Sequence, residues 1–514
     1  MKKIVSFFLA IALVISLLPA NQMMTAKAAT TITTVAQLKN ALASGGTYEV
    51  RANLTVSDQL VVSKNVTLYC SGTARTITST CSKDSIVVKK GVSFRLGYSN
   101  NDSKKITIKR TKNTSEYAVV KVQKGGIFTL GTGILYSGFY GVYNKGTTNL
   151  YVGGVINNTK HSGVYNYLNA SFFMNGGTIR VSSKQNQNTA PYVTKAGIEN
   201  RGKAILKMGT IENYERGVYN SGEFIMTGGL IQKNYSSGIF NIGTVRMTNG
   251  IIRNNAEDGV INYKEFLAVG GEISNNEENG IDVGIYTDVP AKYAADQGIG
   301  LDFSDETMVE YIENAYEYMN ALADELLDET LPSLNPECGI DWSVTIIEEQ
   351  SAKTYIKDAE ICGNNKNGIM ISNGYVYIDE STIKNNSNAG VYLFSGHVLI
   401  EDSVINYNNT GIYALANVSG SSTKLYNTEV ARNSSNGIYS NTKLAILNGS
   451  FHDNGLSGLR LNNGRAYIYG GAYYNNGNYG IYATKTSIIK AFSRYTMVNN
   501  KSGNINFKLS ALNL

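Results

Sequence analysis

A glycine followed by valine, isoleucine or leucine returns along most of this 514-residue chain, at Gly141, Gly163, Gly197, Gly217, Gly238, Gly259, Gly280, Gly368, Gly390, Gly411, Gly437, Gly458 and Gly480. Most spacings are 20 to 22 residues; three, of 34, 88 and 26, read as loops or insertions between repeats. GVYNSGEFIMTGGLIQKNYSS, GIFNIGTVRMTNGIIRNNAED and GVINYKEFLAVGGEISNNEEN are consecutive periods. Each holds three short runs of alternating apolar residues broken by Gly, Asn and Ser, hence three strands and three turns. A single coil of this kind cannot bury its own apolar face, whereas stacked coils share a continuous core. The expected class is all-β, with about 13 to 15 coils spaced ~4.8 Å apart.

This pattern resembles the right-handed parallel β-helix superfamily of pectate lyases and related carbohydrate-active proteins, from about residue 85 to residue 507 apart from one insertion. The resemblance implies a single-stranded right-handed parallel β-helix. The N-terminal block fits it. Thr34 and Gln37 form a capping box on a short helix over residues 35–43, closed by Gly45 and Gly46, and strand-like runs follow at 54–56, 60–62 and 66–69. Such a helix covers the end of a β-helix, where an open sheet edge would otherwise invite aggregation. The expected organisation is a signal peptide at 1–28, an N-terminal cap at 29–84, β-helix at 85–283, an inserted acidic helical segment at 284–352 and β-helix again at 353–514.

The leader carries Lys2 and Lys3, an apolar run and Ala26-Lys27-Ala28, the pattern of a secretory signal peptide. No later stretch reaches the ~20 apolar residues that a spanning helix needs. The chain is expected to be secreted and extracellular. Four cysteines fall as two neighbouring pairs, Cys70 with Cys81 and Cys338 with Cys362; export permits disulfides, and buried thiols are the other reading.

Alternation along a strand assigns faces. Counting from the anchor glycine, the inward fourth position is Asn144, Asn166, Asn200, Asn220, Asn241 and Asn262 before turning apolar at Val283, Ile371 and Leu393. Stacked amides in that position form a structural hydrogen-bonded ladder. The outward third position is Tyr143, Tyr165, Glu199, Tyr219, Phe240, Ile261, Asp282, Met370, Tyr392, Tyr413, Tyr439, Arg460 and Tyr482. A water-facing aromatic row is a surface on which pyranose rings stack; the alternative is ring stacking that only stiffens the sheet. Tyr143, Tyr165, Tyr219, Phe240, Asp282, Tyr392, Tyr413, Tyr439 and Tyr482 are the candidate substrate-binding residues.

Residues 293–352 hold fifteen acids and no Lys or Arg, so the rest of the mature chain carries 43 basic residues against 25 acidic ones. Within that insertion Met308, Ile312, Ala315, Met319, Leu322 and Leu326 recur at helical spacing after Ser304 and Asp305. An amphipathic helix is expected there, packed back as a lid or side wall. The basic remainder suits an acidic partner. Export and the absence of a nucleic-acid motif favour a uronate-type polysaccharide over nucleic acid.

YVYIDESTIKNN and HVLIEDSVINYNN align at a period of 22, setting Asp379 beside Glu401 and Glu380 beside Asp402. Like charges so close need a shared proton, a lysine such as Lys384 or Lys424, or a bridging cation, which would be Ca2+. Such a pair can also serve as general acid and base. Polygalacturonase-like hydrolases carry N-T-D, D-D, G-H-G and R-I-K signatures; Asn427-Thr428-Glu429 and Gly396-His397-Val398 depart from two of them, and the others are missing. Pectate lyases abstract a proton with Arg or Lys, a part that the resemblance would give to Arg460. Asp379, Glu380, Glu401, Asp402 and Arg460 are thus the candidate catalytic residues. His161, His397 and His452 fall on different coils and read as ordinary surface histidines without a shared metal. Two main functions stay open: a polysaccharide-binding β-helix or an extracellular lyase or hydrolase. A purely structural adhesin is a third.

Overall fold

The computed structural model describes residues 30–98, 105–112, 116–182, 196–284, 352–415, 421–491 and 495–507. The leader, the amphipathic run from Met308 to Leu326, and Cys338 lie outside them. Among the described residues no helix is long and apolar enough to cross a membrane. Two compact units divide the chain, residues 1–210 and 211–514.

In the second unit each turn of chain lays down three strands that pair in parallel with the equivalent strands one coil on. Face A follows the anchor glycine, as in Val260–Asn262, which pairs with Ile239–Asn241 behind it and Ile281–Val283 ahead. Face B holds strands such as Tyr375–Asp379, paired with Lys353–Lys357 and His397–Glu401. Face C holds Thr382–Lys384, between Glu360–Cys362 and Val404–Asn406. The architecture is therefore the expected all-β, right-handed parallel β-helix with three strands per coil. The long insertion leaves after face A of one coil, and face B of that coil resumes at Lys353.

Inward side chains fill the interior in stacks of like residues. Val260, Ile281, Ile369, Val391 and Ile412 are fully buried on face A, and Ile273, Ile361, Ile383 and Ile405 are buried on face C. Each such side chain stabilises the fold by about 1.5–3 kcal/mol. The anchor glycine is required by close approach: a Cβ at Gly238 would stand 2.6 Å from the Gly259 carbonyl oxygen and 2.8 Å from Asn255 Nδ2.

In the first unit the coils begin before the first anchor glycine. Leu54–Val56, Leu60–Val62 and Val66–Tyr69 occupy three different faces, paired respectively with Arg75–Ser79, Ile86–Val88 and Ser93–Leu96. The helix Val35–Ser44 has the expected Thr34–Gln37 capping box and ends at Gly45, φ 77°. Its Leu38, Ala41 and Leu42 are buried.

The Asn column forms within each unit. Asn144 Nδ2 donates to Asn166 Oδ1 and Asn166 Nδ2 to Asn200 Oδ1, both at 2.8 Å. In the second unit Asn220, Asn241 and Asn262 repeat this at 2.8 Å, and Asn262 ends on Thr354 Oγ1 at 2.9 Å. A longer ladder lies in the turn from face C to face A: Asn234, Asn255, Asn276, Asn364, Asn386, Asn408, Asn433, Asn454, Asn476 and Asn500. The residue before most of these is left-handed, as at Asn254, Asn275, Asn385 and Asn475, φ 53–57°. Asparagine tolerates that conformation better than other side chains do. The recurring Asn-Asn pairs carried this signal in the sequence, four residues before most anchor glycines.

Cys81 is a buried thiol that accepts the Lys83 amide at 3.3 Å, and Cys362 is a half-buried thiol whose expected partner, Cys338, lies outside the described residues. Burial pushes the Cys362 thiol up to about 12.

Candidate functional site

Because face A repeats in strict register, its outward third positions line up along each unit. In the first unit Lys121, Tyr143, Tyr165 and Glu199 are successive partners. In the second, Tyr219, Phe240, Ile261, Asp282, Met370, Tyr392, Tyr413, Tyr439, Arg460 and Tyr482 follow one another strand by strand. Rings stack at this spacing: Tyr143 on Tyr165 at 4.9 Å, Tyr219 on Phe240 at 5.4 Å, and Tyr413 on Tyr439 at 4.9 Å.

The row is less open to water than alternation alone implies. Tyr165, Tyr219 and Phe240 are buried, and Tyr143, Tyr392, Tyr413, Tyr439 and Tyr482 are half-buried. In the first unit Tyr140, from the bulged strand Ile134–Asn144, tilts onto Tyr143 and Tyr165. Phe139 stacks on His161 at 4.9 Å, and Ser162 Oγ bonds both His161 Nδ1 and Glu199 Oε2. Glu199 is 1% exposed and His161 6%. His161 is therefore packed inside rather than an ordinary surface residue, and so is His452, which lies against Tyr474 and Asp453.

Cations sit on the rings of the row. Lys145 Nζ lies 4.3 Å from the centre of Tyr167 and 5.6 Å from that of Tyr143, and Arg201 lies over Tyr165 at 5.2 Å. In the second unit the Arg460 guanidinium lies between Tyr439 and Tyr482, at 5.7 and 5.2 Å. Neither Lys145 nor Arg460 has a carboxylate partner among the described residues, whereas Lys121 pairs with Asp84 and Arg201 with Glu199.

Asp282 interrupts the row in a crowded acidic place. Asp258, 5% exposed, accepts the backbone and side-chain N–H groups of Asn279. Burial, and then the charge of Asp282, push Asp258 up to about 7. Burial, and then Glu278, push Asp282 up to about 6. Glu278 itself pairs with Lys366 at 2.6 Å.

The carboxylate pairs lie elsewhere, at the end of face B and in the turn after it. Asp379 and Glu401 are register partners. Glu380 and Asp402 are the next residues, both left-handed at φ 44° and 43°. Each is followed by a serine whose hydroxyl bonds back to the strand: Ser381 to the Asp379 carbonyl at 2.7 Å, Ser403 to that of Glu401 at 2.6 Å. The D-E-S and E-D-S runs are thereby a turn motif, repeated at Asn427-Thr428.

Lysine neutralises these acids, but it is Lys357 rather than Lys384. Its ammonium bonds Asp379 and lies 3.0 Å from Glu380, while Lys384 is engaged by Glu360 at 3.0 Å. Burial works against the Lys357 charge, and the bonds to Asp379 and Glu380 outweigh it, holding its pKa above the usual lysine value. Tyr377 donates to Glu401 at 2.6 Å. Burial raises the pKa of both Asp379 and Glu401. With an ammonium already bridging Asp379 and Glu380, the set does not fit calcium. Among the described residues no group of three or more His, Cys, Asp or Glu could hold a metal ion. Arg460 is on face A, three coils beyond that of Glu401, and does not join this cluster.

Residues 344–502 match the protein family described as the right handed beta helix region. No curated protein matches the sequence. Among solved structures, the A-module of Azotobacter vinelandii mannuronan C-5 epimerase AlgE4 is similar at 12% identity and TM-score 0.28, over 94% of this chain and 96% of that one. The periplasmic alginate epimerase AlgG is similar at 12% identity and TM-score 0.27, over 93% and 84%. Scores this low carry no inference about activity.

Proposed function

We propose that this chain, whose residues 344–502 match the right handed beta helix family, is an extracellular binding protein for acidic, uronate-type polysaccharide, held along face A of each unit. One observation carries the reading: Lys145 and Arg460 rest on tyrosine rings of the row and have no carboxylate partner among the described residues. A pyranose ring packs on tyrosine through its C–H face, and a uronate adds a carboxylate at its edge. Lysine and arginine beside the ring supply the counter-charge. The basic balance of the chain outside residues 293–352 favours the same class of ligand by long-range attraction.

A lyase or hydrolase is the second reading. What favours it is the Asp379–Glu401 pair, whose raised affinity for protons suits acid and base work. Binding ranks first because Lys357 and Tyr377 already occupy these carboxylates.

Co-sedimentation with polygalacturonate, alginate and neutral glycans, combined with assays for unsaturated products and new reducing ends, separates the readings. Retention on the acidic glycans alone, without product, is the expected result. Product formation would establish the enzyme, and equal retention on neutral glycans would remove the acidic specificity.

A further inference from the structure

Arg110 is the largest of the fully buried side chains, at 0% exposure, and it closes the face C strand Ile106–Arg110 in the first unit. Its side chain points into the coil with those of Ile106 and Ile108, which alternation along the strand dictates. One terminal nitrogen, Nη1, donates to the Lys83 carbonyl and to Ser85 Oγ at 3.1 Å. Nε and Nη2 are buried and have no hydrogen-bond partner. One coil back, in register with Arg110, stands Ser79; it is 2% exposed and its hydroxyl also lacks a partner.

Two parallel guanidinium donors and a hydroxyl left unsatisfied in the interior cost several kcal/mol unless something accepts from them. Among the described residues no carboxylate is left to do so. Asp84, the nearby acid, accepts the Ala118 amide with one oxygen and pairs with Lys121 at 3.1 Å through the other. Asp84 is thus shared with the partly exposed Lys121, and the other titratable groups beside the guanidinium are the Cys81 thiol and the Tyr117 hydroxyl. Water would satisfy the donors but leave the extra charge uncompensated, and a buried charge demands a counter-charge. The face of the guanidinium is closed by the Tyr117 ring, 5.5 Å away, and the edge that bears Nε and Nη2 is the one without a partner.

The geometry points to a buried binding site for a small monovalent anion of the halide class, held by Arg110 Nε and Nη2 and by Ser79 Oγ. The anion locks the first coils together and is a structural ligand, separate from the glycan face.

The test is a crystal of the full chain soaked in bromide, with anomalous data collected at the bromine edge, alongside thermal unfolding in sodium chloride and in sodium gluconate at equal ionic strength. An anomalous peak against Arg110 Nε and Nη2 is expected, with chloride stabilising beyond gluconate. Ser79→Ala removes one donor without touching the charge and is expected to weaken the halide dependence by roughly threefold to tenfold, the usual worth of one hydrogen bond. Arg110→Met is expected to abolish it; should that variant fail to fold, Ser79→Ala and the anomalous map decide alone. A water without anomalous signal at the site, or identical unfolding in the two salts, overturns the assignment.

Discussion

Lys357 shows how one side chain can decide what its neighbours are for. Its ammonium holds Asp379 and Glu380 together from the coil before. Removing it leaves partly buried like charges unpaired, so Lys357→Met is expected to destabilise the protein by about 2–3 kcal/mol. Lys357→Arg should recover most of that, as read from urea unfolding. Asp258 offers a test with the opposite sign. Its pKa is about 7 in the folded chain against 3.8 for a free aspartate side chain, so the folded state holds the proton more tightly. The stability this contributes is fully present below pH ~4 and is lost as pH rises through about 7. Asp258→Asn, with an amide that can still accept from Asn279, should therefore match the native protein near pH 4 and exceed it by roughly 4 kcal/mol at pH 8. A constant difference across that range would refute the assignment.

At the scale of strands and turns, the amide ladders hold the coils in register. Asn276 takes the backbone and side-chain N–H groups of Asn255 and passes its own to Asn364, at 3.0–3.2 Å. Asn276→Leu leaves the Asn255 amide unsatisfied and is expected to cost about 2–4 kcal/mol in denaturant unfolding. Tyr413→Leu, on the outward row, should change stability far less and weaken glycan binding instead. Tyr413 was legible in the sequence, because a period of 21 or 22 residues makes matched letters into neighbours; the Asn276 ladder obeys the same period but was missed, because columns were counted only along the strand after the anchor glycine. The burial of the row was not legible. What covers it in the first unit, Phe139, Tyr140 and His161, comes from an irregular stretch that obeys no period. Lys357 was missed for a related reason. The insertion stretches its spacing from the preceding anchor glycine, Gly280, so counting placed it in no column.

For the molecule as a whole, charge and repetition act together. Coils of one design place aromatic rings at a constant interval, and an excess of basic residues outside one acidic segment biases what those rings meet. Binding to an acidic glycan should weaken severalfold between low and physiological salt, since the exposed cations are screened over ~8–10 Å. The most direct test is a calorimetric titration of oligogalacturonate into the native protein and into a Lys145→Gln, Arg460→Gln variant with unchanged unfolding. Saturable, salt-sensitive binding that falls at least tenfold in the variant is the expected result. Equal affinity in the two proteins would contradict the claim that cations on the tyrosine row recognise the ligand.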